Sequence, residues 1–327
     1  MRDSSSMRRS SLSGGRTSRF EPILSRAAGA STPVTAIAHP CDATSIATAV
    51  DAAAARLIDP VLIGPLAKID AAAEAAGRDI STLRRIDAPH SVAAAAAAVA
   101  LVRSGEATLL MKGSLHTDEV IRAALDPALG LRTGRRFSHV YLMDVALYPK
   151  LLLITDAAIN IAPTLMEKRD IVQNAIGLAH CLGIATPKVA VLSAVETVTP
   201  RIASTVEAAA LCKMADRGQI TGARVDGPLA FDNAINPAAA EEKGIVSEVA
   251  GDADILVVPD LEAGNMLAKQ LTFLAGARAA GVVLGARVPI VLTSRADTEE
   301  THLASCAVAA LMAQTRLERA DAAVTGP

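Results

Sequence analysis

Short apolar runs alternate along this chain with longer segments in which apolar residues return every three or four positions. Runs bounded by glycine, proline or polar clusters predict buried strands, and the periodic segments predict helices. Strands fall at Val34–Ile37, Pro60–Ile63, Thr108–Met111, Val140–Met143, Leu151–Thr155, Val189–Leu192, around Val225, at Asp254–Val258 and at Ile290–Leu292. Helices fall at Ser45–Leu57, Leu66–Ala76, Ser91–Ser104, Asp118–Leu125, Lys168–Leu182, Thr205–Asp216, from Ala238 to about Gly244 and at Met266–Leu274, and a last one ends near Gln314. In Lys168–Leu182 the residues Ile171, Ala175, Leu178 and Leu182 share one face, as a helix on a core requires. Strands alternating with helices imply βαβ units and a mostly parallel sheet. The link between Val140–Met143 and Leu151–Thr155 is too short for a crossover, so that pair predicts an antiparallel hairpin and a mixed sheet.

Three strand-to-helix junctions carry polar groups where α/β sheets collect ligands, because helix N-termini present unpaired N–H groups and a positive dipole end. At Val288–Glu300, Arg295 offers a planar fork of donors for phosphate or carboxylate, and Ser294 a hydroxyl that can donate to a developing negative charge. The structural alternative is a helix start with Ser294 or Asp297 as cap and Glu300 closing a capping box. Lys112–Thr117 repeats the arrangement, with Gly113, Ser114 and His116 leading into a helix. Arg122 lies five residues after Thr117, off the helix mouth unless its side chain reaches back. The third junction ends in Pro259–Asn265, where Gly264 permits close backbone approach and Asn265 can cap or donate.

Length and composition narrow the picture. The 327 residues suit two medium domains better than one core. The division expected is residues 20–137 with 285–327 as a first α/β domain and 138–284 as a second, after a disordered extension at 1–19. The glycine-punctuated basic loop Gly130–Arg136 is a plausible crossover. Half the residues are hydrophobic and the excess is alanine, with no Trp, two Tyr and four Phe, so helices must pack closely. A net charge of −2 argues against nucleic acid as partner. Cys41, Cys181, Cys212 and Cys306 are widely spaced and form no CxxC pair, as in a reducing cytosol. No run is long and apolar enough for a membrane span, and the leader Met1–Arg19 lacks the apolar core of a secretory signal. A cytoplasmic protein is expected. GxGxxG after a strand, GxxxxGK[ST], HExxH and GxSxG are all absent.

A set of blocks in one order resembles the phosphate acetyl/butyryltransferase family: Lys112-Gly113-Ser114, Arg122-Ala123-Ala124-Leu125, Gly130-Leu131-Arg132-Thr133-Gly134, Ser138-His139-Val140 and Asp156. They continue with Lys213–Ile220, Val225–Ala230, Glu248–Asp254, Glu262-Ala263-Gly264-Asn265 and Val291–Asp297. The likeness runs from about Val34 to Gln314. It implies a two-domain α/β fold akin to the isocitrate/isopropylmalate dehydrogenase architecture, with an active site in the interdomain cleft and a homodimer built on the second domain. The implied reaction is acyl-CoA plus phosphate giving acyl phosphate plus CoA. CoA and phosphate are substrates, with no prosthetic group and no catalytic metal. Ser294, Arg295 and Arg122 match active-site groups of the family. Lys112, Gly113, Ser114, His116, Thr117, Gly264 and Asn265 are expected to hold CoA and phosphate.

Two departures bear on this. The family's acid seven residues after the serine would be Thr301 here, leaving Asp297, Glu299 and Glu300 as substitutes for the base that takes the thiol proton. Glu300, one position away, is the expected choice. A longer segment with another arginine before the Lys112 region is missing; both departures, with the Gly130–Gly134 block, lean toward the butyryl branch or the phosphotransacetylase-like half of longer bifunctional proteins. Acetyl transfer is the leading expectation and butyryl transfer the alternative. A dehydrogenase of the same architecture would need a nucleotide site and aspartates spaced for Mg²⁺, which the sequence lacks. A non-catalytic CoA-binding relative is favoured only by the missing acid.

Overall fold

The computed structural model describes residues 17–292 and 297–325, with side chains to residue 318. In chain order the strands are β1 (Val34–Ala38), β2 (Asp59–Gly64), β3 (Arg84–Asp87), β4 (Leu109–Lys112), β5 (Ser138–Asp144), β6 (Leu152–Thr155), β7 (Lys188–Leu192), β8 (Arg224–Leu229), β9 (Ile255–Val257), β10 (Arg278–Leu284) and β11 (Ile290–Val291). The helices are α1 (Glu21–Ala28), α2 (Ala43–Ala54), α3 (Leu66–Ala76), α4 (Ser91–Arg103), α5 (Thr117–Leu125), α6 (Leu165–Cys181), α7 (Ala203–Asp216), α8 (Phe231–Ile235), α9 (Pro237–Glu242), α10 (Leu261–Phe273) and α11 (Glu299–Thr325).

The described strands form one sheet in the order β3-β2-β1-β4-β11-β10-β5-β6-β9-β7-β8. Pairing is parallel except at β11–β10, β10–β5 and β5–β6. The hairpin expected of the Val140 and Leu151 runs is therefore present. Three successive antiparallel pairings reverse the strand sense, so β1, β2, β3, β4, β11 and β5 run one way and β10, β6, β9, β7 and β8 the other. The α/β, mixed and mostly parallel fold read from the sequence is the one observed.

Some elements were not foreseen. Strand β10, Arg-Ala-Ala-Gly-Val-Val-Leu, shows no alternation because both of its faces are covered: Ala280, Val282 and Leu284 enter one core cluster and Val283 another. Strand β3 reads as polar because it is an edge, with Arg84 and Arg85 exposed. Helix α1 and the residue before it lay Phe20, Ile23 and Ala27 into the same cluster as α11. Residues Ala304 to Ala313 of α11 are buried on every side, between the sheet and helices of the same cluster. Small side chains permit that closeness, which accounts for the alanine excess.

Candidate active site

The Lys112–Thr117 junction is built against the end of β1. Gly113 N–H donates to Ala38 O at 2.8 Å and Ser114 N–H to His39 O at 2.9 Å. A Cβ on Gly113 would stand 2.6 Å from both of those oxygens, so only glycine lets the loop cross here. His39 itself sits in the left-handed region at φ +54°. The Ser114 hydroxyl donates to His39 O at 2.8 Å and accepts from Cys41 N–H at 3.2 Å. It also lies 3.2 Å from His39 Nδ1. Ser114 thus ties β4 to the start of α2.

Lys112 is 8 % exposed, not a solvated strand end. Its Nζ donates to Gly113 O at 3.1 Å and Leu115 O at 3.5 Å, which folds the loop back over a buried positive charge. His116 and Thr117 are exposed at the mouth of α5. Glu119 closes that mouth, accepting from His116 N–H at 2.9 Å and from the Ser91 hydroxyl at 2.5 Å. The Ser91 bond first, then the His116 N–H, hold the Glu119 carboxyl below the usual range. Arg122 points outward, its side chain 79 % exposed, and pairs with Asp118 at 3.4 Å.

Ser294 and Arg295 lie outside the described residues. Their described neighbours are Leu292, which follows β11 beside β4, and Asp297. Burial first, and the Asp297 charge second, push the phenol pKa of the half-buried Tyr141 of β5 upward. Next to Tyr141, with ring centroids 4.4 Å apart, lies His139 at 1 % exposure. Its Nδ1 is buried without a hydrogen-bond partner. Gly281 makes room for the ring, since a Cβ there would stand 2.9 Å from His139 Nε2.

Glu300 turns elsewhere. Its carboxylate takes Arg278 at 3.1 Å and the Ser18 hydroxyl at 3.2 Å. Arg278 is also 3.8 Å from the buried Asp144, which Arg19 holds at 2.7 Å. Glu300 therefore belongs to an ionic cluster that fastens the segment before α1 to β5, β10 and α11.

Gly264 and Asn265 stand inside α10, which starts at Leu261 with Asp260 as its cap, five residues earlier than expected. A Cβ on Gly264 would meet Asp156 O and Val258 Cγ2 at 2.8 Å, and Asn265 Nδ2 donates to Ala157 O at 3.2 Å. Both fix α10 to the turn after β6. Because β9 runs opposite to β4, this junction opens toward the other end of the sheet, with β11, β10, β5 and β6 between. The structure thus gathers Lys112, Gly113, Ser114, His116 and Thr117 at one junction and Gly264 with Asn265 at another. His39, His139 and Tyr141 escaped the reading of single junctions. The available signals were the His39-Pro40 pair after β1 and the Ser138-His139-Val140 block.

Burial lowers the His139 pKa to about 4, against an unfolded value near 6.5. Between those values the unfolded chain takes a proton that the folded one refuses, so stability falls as pH falls through that window, by about 3 kcal/mol in all. The urea midpoint of the wild type should drop more between pH 7 and 5 than that of His139→Gln. Parallel curves for the two would show that His139 is not the group responsible.

What these elements define is an α/β protein with a loop and a helix mouth over parallel strand ends, the edge at which such sheets collect ligands. The family model described as phosphate acetyl/butaryl transferase matches residues 82–310. The chain is 60 % identical over 307 residues to a phosphate acetyltransferase of Rhizobium meliloti, covering 94 % of this chain and 97 % of that one. It is 44 % identical over 257 residues to a phosphate butyryltransferase of Clostridium acetobutylicum, covering 79 % and 85 %. A branched-chain phosphotransacylase from Enterococcus faecalis superposes with TM-score 0.76 at 31 % identity, over 86 % of this chain and 99 % of that one. A 4-hydroxythreonine-4-phosphate dehydrogenase from Burkholderia phymatum shares the fold alone, with TM-score 0.51 at 15 % identity over 86 % and 98 %. The chain belongs to the phosphate acetyl/butaryl transferase family.

Proposed function

We propose that this protein is a phosphate acetyltransferase, moving an acetyl group reversibly between CoA and inorganic phosphate. The observation that carries the reading is the 60 % identity to a phosphate acetyltransferase along nearly the whole of both chains. Butyryl transfer is the second reading, favoured by the more distant butyryltransferase relative.

In the forward direction a phosphate oxygen attacks the thioester carbonyl, the C–S bond breaks, and the thiolate takes up a proton. The tetrahedral intermediate carries an oxyanion beside an anionic phosphate, so donors fixed beforehand lower the barrier most. Ser294 and Arg295 are assigned that task, and Arg122 joins them when its exposed side chain exchanges Asp118 for phosphate. In the reverse direction a thiol of pKa roughly 8.5 needs only a modest base. Glu300 was the expected base, but Arg278 and Ser18 engage it at the α1 side of the molecule. Asp297, whose charge reaches Tyr141 of β5 next to β10, is the candidate on the other side, and the base is assigned to it. Lys112, Gly113 and Ser114 shape the phosphate end of the site, and His116 and Thr117 its rim. A cytoplasmic homodimer accords with the family reading, and among the described residues no helix is long and apolar enough to cross a membrane.

Initial rates of thiol release from acetyl-CoA, propionyl-CoA and butyryl-CoA with phosphate test the reading, with acetyl-CoA expected to be fastest. A butyryl preference would install the second reading, and no release from any would end both. Asp297→Asn is expected to lose about 10²-fold or more in the thiol-consuming direction, and Glu300→Gln less than about tenfold. The reverse order would return the base to Glu300.

A further inference from the structure

The loop from Gly130 to Phe137 serves no part of the chemistry above, yet it concentrates charge. Arg132, Arg135 and Arg136 meet Arg169 of α6 around a cavity of about 470 Å³, within the ordinary range of ligand sites. An adjoining hollow of about 500 Å³ adds the amides of Gln173 and Gln219. Two carboxylates share the walls, and both are already engaged. Glu167 pairs with Arg136 at 3.1 Å, and Asp170 pairs with Arg169 at 2.7 Å while accepting from Arg136 N–H. Among the described residues no carboxylate pairs with Arg132 or Arg135.

The loop that carries these arginines is tied down at several points. Thr133 donates to Gly285 O at 2.6 Å, Arg287 N–H to Leu131 O at 2.9 Å, and Arg136 Nε to Asn160 Oδ1 at 2.7 Å. Arg316 adds another cation nearby, its pKa drawn down by burial and then by Arg135. Four guanidinium groups gather round one cavity, two of them with no carboxylate partner among the described residues, and such a lining favours a polyanion. Leu125 and Met166 supply an apolar wall beside them, both partly exposed.

We propose that this cavity binds a nucleotide diphosphate ester, the phosphates on Arg132 and Arg135 and the base against Leu125 and Met166. The diphosphate ester belongs either to the nucleotide end of CoA, which rests on the acyl-transfer reading, or to a free nucleotide, which does not. Planar forks match phosphate oxygens two at a time, and Leu125 and Met166 in the same lining offer a base an apolar surface.

Calorimetric titration with ADP, which needs no turnover, tests this apart from the acyl-transfer reading. Wild type should bind ADP, and Arg132→Gln/Arg135→Gln should bind it at least tenfold more weakly, with each single variant losing part of that. Arg84→Gln/Arg85→Gln, the same charge change on edge strand β3, should leave ADP affinity as it is. If the KM for CoA rises together with the loss of ADP affinity, the ligand is the nucleotide end of CoA, and if KM stays unmoved it is a free nucleotide. The proposal is overturned by equal ADP affinity in wild type and double variant, by an equal loss in the β3 control, or by no wild-type binding up to about 1 mM ADP.

Discussion

Arg295→Gln is expected to lower kcat for acyl exchange by about 10²–10³, the effect of deleting one preorganised oxyanion donor, while the thermal midpoint barely moves. The loss should be large because the cations assigned beside it are already committed. Lys112 is buried with its ammonium on the carbonyls of Gly113 and Leu115, and Arg122 has its own share of the phosphate in the proposed mechanism. Arg295→Lys should recover only a small part, since an ammonium keeps the charge but loses the two-pronged geometry. The check is initial rates at saturating acetyl-CoA and phosphate. Wild-type turnover in the Gln variant would remove Arg295 from the reaction.

Gly113→Ala should be among the more damaging substitutions of a single methyl group. The added carbon would lie 2.6 Å from the carbonyl oxygens of Ala38 and His39, which are backbone atoms and cannot rotate aside. Relief requires β1 and β4 to separate at the points where Gly113 N–H and Ser114 N–H are bonded to those oxygens. Overpacking and two weakened hydrogen bonds together cost roughly 2–5 kcal/mol, a large share of the usual 5–15 kcal/mol of a folded domain. Denaturant unfolding and turnover should both fall. An unchanged unfolding midpoint would mean that the junction yields without penalty.

Periodicity served well where an element has one polar face and poorly where it has none or little else. The hairpin of β5 and β6 could be read because its link is short, and α6 because its apolar residues keep one side. Strand β10 is covered on both faces, so its small residues give no alternation, and edge strand β3 is too polar to stand out. The same limits apply to the site. Gly113 could be singled out from a glycine after a strand, but the atoms that forbid a side chain there come from β1, about seventy-five residues earlier.

Sequence by itself determined the α/β class, the hairpin, the strand-to-helix junctions and, through the order of its blocks, the family. Each of these depends on neighbours along the chain or on a pattern of residues that survives without coordinates. Tertiary structure alone decided which junctions share an end of the sheet, because three antiparallel pairings turn β9 against β4. It also decided that Glu300 is held by Arg278 while the Asp297 charge reaches Tyr141, and that four arginines line one cavity. Charges and carbonyls act over a few ångströms of space, and the separation of residues along a chain does not fix that distance.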